Sequence, residues 1–297
     1  MPLGRAAKLF PEDRRFKYAV LAPAIFFILL IGLYPFLQLL ATSVQNITMF
    51  EDDKSFHGFI HYARLFEDDR LWESLLHTVL FTAVALPVQV ILGFLLALLF
   101  LEKLPLKRLF LALIILPTVI SPIVAGATWR VVFDHRFGPI NQIIGWIMGR
   151  EVELLWTIET HLVWPAIFIA EIWQWTPFMF LLILAALSNV DGDLLDAAEL
   201  DGAGWWTTFR RIVLPAIAPV VFIAALIRGL DLFRLFDSVW VMTQGGPGTM
   251  TETVSIYAYQ MAFREFEISY SAAIALLIIV ILTVLVIAAL KRVEIAR

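Results

Sequence analysis

The sequence predicts an all-α, polytopic membrane protein with six transmembrane helices. Three observations carry that reading. Of 297 residues, 61% are hydrophobic and only 16% are charged, with a mean hydropathy of +0.85; soluble domains run about 45–50% apolar and about 25% charged. Apolar runs recur near 18–43, 75–101, 109–129, 161–187, 213–240 and 269–290, each near or above the ~20 residues that cross a bilayer as a helix. The runs are apolar all round, without the alternation of a barrel strand. Backbone groups in lipid must be satisfied inside the segment, which leaves helices.

Composition excludes several function classes. Net charge is −4, and no basic patch points to nucleic acid. With no cysteine, disulfides, thiolate metal sites and Cys nucleophiles are ruled out. The first apolar run follows Arg5, Lys8, Arg14, Arg15 and Lys17. It is longer than the ~7–15 residues of a signal-peptide core and reads as a retained anchor and first span. No internal repeat, low-complexity tract or linker appears, so residues 1–297 read as one transmembrane domain.

Basic residues set the expected orientation. A cytoplasmic N-terminus places Arg5, Lys8, Arg14, Arg15, Lys17, Lys103, Lys107, Arg108, Arg210, Arg211, Lys291, Arg292 and Arg297 inside. Lys54, Arg64, Arg70, Arg130, Arg136, Arg150 and Arg264 then fall outside. The inner excess predicts both termini in the cytoplasm. The outer loop 44–74 is expected to hold a short amphipathic helix near 59–66. Residues His57 and His61 stand four apart there, and a solvated helix explains them better than a metal site lacking a third ligand. Pro117 and Pro122 predict a kink in span three. Trp129, Trp164 and Trp240, near span ends, read as interface anchors.

The cytoplasmic loop 188–212 carries the most local information. Asn189 or Asp191 can cap a short helix, with acids in its first turn matching the helix dipole. Asp201-Gly202 ends that helix, since glycine accepts the left-handed backbone. A second helix starts near Gly204 and enters span five at Pro215. Local physics leaves two readings open: a plain re-entry turn, or a projecting elbow.

Polar residues inside the spans are the other candidates, because an ionisable side chain in a bilayer is costly and faces a partner or a pathway. Span two holds Gln89. Span four holds Glu171, Gln174 and Trp175 at i, i+3 and i+4, on one helix face. Span five holds Arg228, Asp231 and Arg234, three apart and able to pair. Carboxylates and amides bind hydroxyls and indoles stack on apolar ring faces, so Glu171, Gln174 and Trp175 form a candidate contact patch for a polar solute, with Gln89, Arg228 and Asp231 as further candidates to line a pathway. They could equally lock helices together.

The order Asp196-Ala197-Ala198, Glu199, Asp201-Gly202-Ala203, then Phe209, Ile212 and Leu214-Pro215 resembles the EAA loop of bacterial ABC importer membrane subunits. Asp196 stands where that motif has Glu, which keeps the charge and shortens its reach by one methylene. Downstream, Phe236-Asp237, Met242-Thr243-Gln244-Gly245-Gly246-Pro247-Gly248, Thr251-Glu252-Thr253 and Tyr257 to Phe263 resemble the carbohydrate-uptake branch. Phe137-Gly138-Pro139-Ile140-Asn141 is similar to an outer loop of the same branch. The resemblance covers most of residues 15–295. It implies a type I importer transmembrane domain: a permease that moves a sugar, polyol or sugar derivative inward across a bacterial inner membrane. It implies a second related permease subunit, with a heterodimer expected, two cytoplasmic ATPase subunits and an extracytoplasmic solute-binding protein. It also implies that the short helix at Asp196–Ala203 docks in the ATPase, and that the chain is a transport subunit and not an enzyme. No cofactor is expected in this chain; no Gly-x-x-x-x-Gly-Lys-Ser/Thr run occurs, so ATP and Mg belong to the partner. A self-contained secondary transporter or channel is the alternative, for which inverted repeats would be expected. A membrane-embedded enzyme would need a denser cluster of His or carboxylates.

Overall fold

The computed structural model describes residues 14–50 and 52–295. Arg5, Lys8 and Arg297, part of the sidedness argument, lie outside the described residues. Contacts divide the chain into two compact units, one running to Glu67 with Met261–Ile279, the other Asp68–Gln260 with the chain from Val280 onward.

In the first unit, α1 (Arg14–Ile28) passes through a π-helical turn, Leu29–Leu33, into α2 (Tyr34–Ser43). The span Val20–Ser43 buries none of its apolar window within the chain, so the surface of that window is left for lipid or another subunit. A two-residue antiparallel ladder follows, β1 (Asn46–Ile47) on β2 (Asp52–Asp53), and then α3 (Ile60–Glu67) in the place expected for the amphipathic helix. His57 precedes α3, so the two histidines do not share a helix. Its Nε2 lies 2.6 Å from Asp53 Oδ2, and hydrogen bonds from Ser55, with His57 adding, hold the Asp53 carboxyl down to about 2. His61 instead meets the Gln45 carbonyl at 2.9 Å. The first half of α14 (Ile268–Ile295) completes this unit. Ser269 Oγ accepts from the Ile47 N–H at 2.9 Å, and Arg64 pairs with Glu267 while lying 4.0 Å over the Tyr270 ring.

The second unit holds α4 (Asp69–Leu101), α5 (Lys107–Val119), α6 (Pro122–Val132), α7 (Pro139–Met148), α8 (Val163–Ser188), α9 (Gly192–Leu200), α10 (Trp205–Thr208), α11 (Leu214–Phe233), α12 (Asp237–Met242) and most of α13 (Val254–Phe263). Asp68 caps α4 by accepting from the Leu71 N–H at 3.1 Å, so this span starts earlier than the apolar run suggests. Its buried residues, Leu71, Ser74, Thr78, Phe81, Ala85, Gln89, Gly93, Ala97 and Phe100, recur every three or four positions, one stripe of a helix. The remaining faces show Leu76, Leu80, Leu95 and Leu99 outward. Polar groups inside and leucines outside is the arrangement that lipid as solvent demands.

Span three is more than kinked. α5 and α6 meet at 100° across Ile120-Ser121, so the apolar run is a broken span or a re-entrant pair. Among the described residues, counting the pair as one span gives up to six, and otherwise five. Trp129, Trp164 and Trp240 are half-buried, and all three pack one side against the buried cluster of Phe81, Ala85, Ile167 and Val239. A second cluster, with Ala97, Phe100, Phe180 and Ile183, fills the other half of the unit.

Gly93 fixes how closely α4 and α8 approach. A Cβ there would stand 2.8 Å from both Met179 Cβ and the Phe180 backbone nitrogen. Gly93→Ala should therefore cost about 1–3 kcal/mol by overpacking. Gly229→Ala, whose Cβ would meet only Leu86 at 3.5 Å, should cost less. Thermal unfolding of the two variants in detergent checks the order; equal melting points would remove the close contact from the account.

Candidate functional site

Three helices and a short fourth deliver polar side chains to one buried point. Glu171 on α8 and Arg228 on α11 form an ion pair, each only 2% exposed. Gln89 on α4 joins them: its Oε1 accepts from Arg228 Nε at 3.0 Å, and its Nε2 donates to the Glu171 carbonyl at 3.2 Å. Ser238 on α12 donates to Glu171 Oε2 at 3.3 Å. The Trp175 ring lies 4.5 Å from the guanidinium carbon of Arg228, a cation–π contact. Gln174, also buried, donates to the Ile120 carbonyl at 2.9 Å, satisfying a backbone group left over where span three breaks.

This geometry differs from the triad that residue spacing allowed on span five. Arg228 turns into the unit toward Glu171, whereas Arg234 and Asp231 pair with each other at 3.1 Å on a partly exposed face. The face shared by Glu171, Gln174 and Trp175 is also divided in exposure. Glu171 and Gln174 are shielded from solvent in this chain, and Trp175 is half-buried. Spacing placed the residues on a face, but the direction that face points depends on packing between helices.

A second polar knot went unread in the sequence. Glu252 of the Thr-Glu-Thr run is buried and takes two hydrogen bonds from Arg70, both at 2.8 Å. Arg70 also donates to Gln260 Oε1 at 2.6 Å. Thr251 Oγ1 donates to the Gly246 carbonyl at 2.7 Å, and Thr253 Oγ1 to that of Leu235 at 2.8 Å. The motif is thus a folded corner. Its acid was visible, but Arg70 sits far away in sequence and had counted only as a loop cation.

The loop 188–212 forms an elbow. Asp191 caps α9 by accepting from the Asp193 N–H at 3.0 Å. Asp201 ends the helix and Gly202 follows at φ +73°. Asp196, Ala197, Glu199, Asp201 and Gly202 are exposed, Ala203 is half-buried and Ala198 is buried. The elbow also shows bare apolar surface, with Leu200 89% exposed and Trp205 69% exposed. The Trp205 and Phe209 rings stack at 5.4 Å, carrying α10 into a π-helical turn, Phe209–Val213, and then α11.

Residues 63–294 match the family described as binding-protein-dependent transport system inner membrane component. The chain belongs to this family. Among relatives of this inner membrane component, the trehalose/maltose transport system permease protein MalF of Thermococcus litoralis is 30% identical over 285 residues, 96% of each chain. The trehalose transport system permease protein SugA of Mycobacterium tuberculosis is 32% identical over 267 residues, 90% of this chain and 84% of that one. Among solved structures, a bacterial ABC transporter involved in the import of the acidic polysaccharide alginate superposes with a TM-score of 0.80 at 22% identity, over 93% of this chain and 94% of that one. That likeness gives the fold: the transmembrane domain of an ABC importer. As an inner membrane component, the chain is a multi-pass permease subunit, and the ATPase of such transporters resides in partner proteins; it is not itself an enzyme.

Removing one member of a buried ion pair strands the other charge away from water, which costs about 3–5 kcal/mol. Arg228→Met and Glu171→Met should each destabilise by that order. The double variant should recover much of the loss, because no bare charge remains. A double-mutant cycle on melting in detergent measures this, and additive losses would dissolve the pair as a unit.

Proposed function

We propose that this chain is the membrane-spanning subunit of an ABC importer that carries a carbohydrate (a sugar, polyol or sugar derivative) into the cytoplasm. Partner subunits supply the ATPase, with its ATP and Mg. A solute-binding protein delivers the cargo, and a second, related permease subunit completes the pathway as a heterodimer. Relatives named as trehalose and maltose permeases, alignable over nearly the whole chain, support the carbohydrate class. Both termini, and the elbow 188–212, lie in the cytoplasm in this reading. The uncovered apolar window of the first span supports a place for a lipid or subunit neighbour.

The observation that carries the mechanism is the elbow itself. Asp196, Ala197, Ala198, Glu199, Asp201, Gly202 and Ala203 form a short capped helix and a tight turn, and the adjoining Leu200 and Trp205 are left exposed. Apolar side chains in that position fit a protein partner. Closure of the ATPase pair would move α9 as a rigid body and, through α10 and the π-turn, swing α11. Packed helices switch between discrete arrangements, so the displacement opens the pathway to one side at a time. For the pathway we propose that Trp175 and Asp231 face the cargo. Gln89, Glu171, Gln174 and Arg228 hold the helices that frame it.

Gly202 offers a clean test. Nothing lies within 4 Å of a Cβ placed there, so Gly202→Val carries only the left-handed backbone penalty, roughly 1–2 kcal/mol. The variant should insert and accumulate normally, yet lose ATPase co-purification and ATP-driven uptake of a labelled carbohydrate panel. Normal uptake by Gly202→Val sinks the coupling role. Uptake of no carbohydrate by the wild-type complex sinks the cargo class.

A further inference from the structure

Helix α7 is built the wrong way round for water. Its inward face carries Asn141, whose amide donates to the Leu154 carbonyl at 3.0 Å and accepts from the Trp156 indole N–H at 2.9 Å. Its outward face carries Ile143, Trp146 and Ile147, spaced i, i+3 and i+4, with Trp146 85% exposed and Ile147 70% exposed. A soluble surface helix has the opposite polarity. The sequence of α7, PINQIIGWIM, contains no charge. Charges gather along one flank, where Arg136, Arg150, Glu151 and Glu153, with the neutral Gln142, line a groove of about 400 Å³.

An apolar face beside a charged flank is the form of a helix lying in a membrane interface. Its place in the chain agrees. The segment runs from the end of α6 at Val132 to the start of α8 at Val163, joining two apolar segments at one water–membrane boundary. Val131 and Phe137 are also exposed, so the apolar surface continues from the end of α6 toward α7. Indole rings favour the headgroup level. A protein-docking patch would be ringed by polar groups, whereas here the named polar groups lie along one flank.

We infer that α7 lies flat in the headgroup layer of the leaflet at that end of the bundle. Ile143, Trp146 and Ile147 dip among the acyl chains, and the flank of Arg150 to Glu153 stays in water. The helix then sets the depth of the joint between spans three and four. The inference rests on the chain spanning a bilayer, but not on which side the joint faces or on the cargo.

Because the sequence has no cysteine, single labels can be placed on the native background. Spin labels at Ile143→Cys, Ile147→Cys and Glu153→Cys, in the full-length permease assembled with its partners in lipid vesicles, report collisions with oxygen and with a water-soluble nickel chelate. Labels at 143 and 147 should collide with oxygen several-fold more, and with nickel several-fold less, than the label at 153. Nickel collisions at 143 and 147 equal to those at 153 would place the face in water and overturn the inference. Shielding from both reagents, or shielding that appears only when a solute-binding protein is added, would assign the face to a protein and overturn it too. The readout needs neither transport nor nucleotide, so a wrong cargo or coupling assignment leaves it standing.

Discussion

Glu171 and Arg228 share a place from which water is excluded, and a lone charge there is far costlier than a pair. The two groups must therefore stay together, and the helices bearing them keep register at that level. Gln89 is committed to both partners at once, donating to one residue's carbonyl and accepting from the other's guanidinium. That fixes which stripe of α4 points inward. One turn along the same stripe stands Gly93, where α8 comes too close for a side chain. Ser238 adds α12, and α12 in turn lies against α6, where a Cβ on Gly126 would be 3.2 Å from Ser238 Cα. One ion pair thus settles the positions of α4, α8, α11, α12 and, through them, α6.

The same constraint bears on how force would travel. In the coupling reading, a push on α9 reaches α11 through stacked Trp205 and Phe209 and a π-turn. Arg228 lies well along α11, so α11 cannot slide without carrying its guanidinium. The pair cannot separate cheaply, so α8 must follow. Buried hydrogen-bonded networks resist gradual deformation, which favours movement of these helices as a body over bending of one.

Much of the architecture was legible because lipid imposes simple rules. Long, largely apolar runs gave five spans and the place of the third, and capping chemistry marked the ends of α9, leaving Asn189 or Asp191 open at its start and Gly202 at its end. The reading failed where the answer depended on which way a helix face turns. Arg228, Asp231 and Arg234 share a spacing, yet only the last two pair with each other. Trp129, Trp164 and Trp240 sit near span ends, and their packing against a core cluster could not be read from that position. Arg70 and Glu252 are 182 residues apart, so no local pattern could join them. The 100° break in span three exceeds what two prolines signal, and the Gln174 side chain that satisfies the Ile120 carbonyl there comes from a different helix.

Hydrogen-bond occupancy then narrows which groups a carbohydrate could meet in this state. Glu171 spends one oxygen on Arg228 and the other on Ser238, and Gln174 has given its amide N–H to backbone. A sugar hydroxyl would have to compete with a charge-assisted bond in a site closed to solvent, a poor exchange for a neutral donor. The half-buried Trp175 ring, with Arg228 4.5 Å from its centroid, and the Asp231 carboxylate, paired with exposed Arg234, are less deeply committed. In the proposed carbohydrate pathway the contacts therefore fall to an aromatic face and an acid nearer the surface, while the deeper polar groups are occupied in holding helices together.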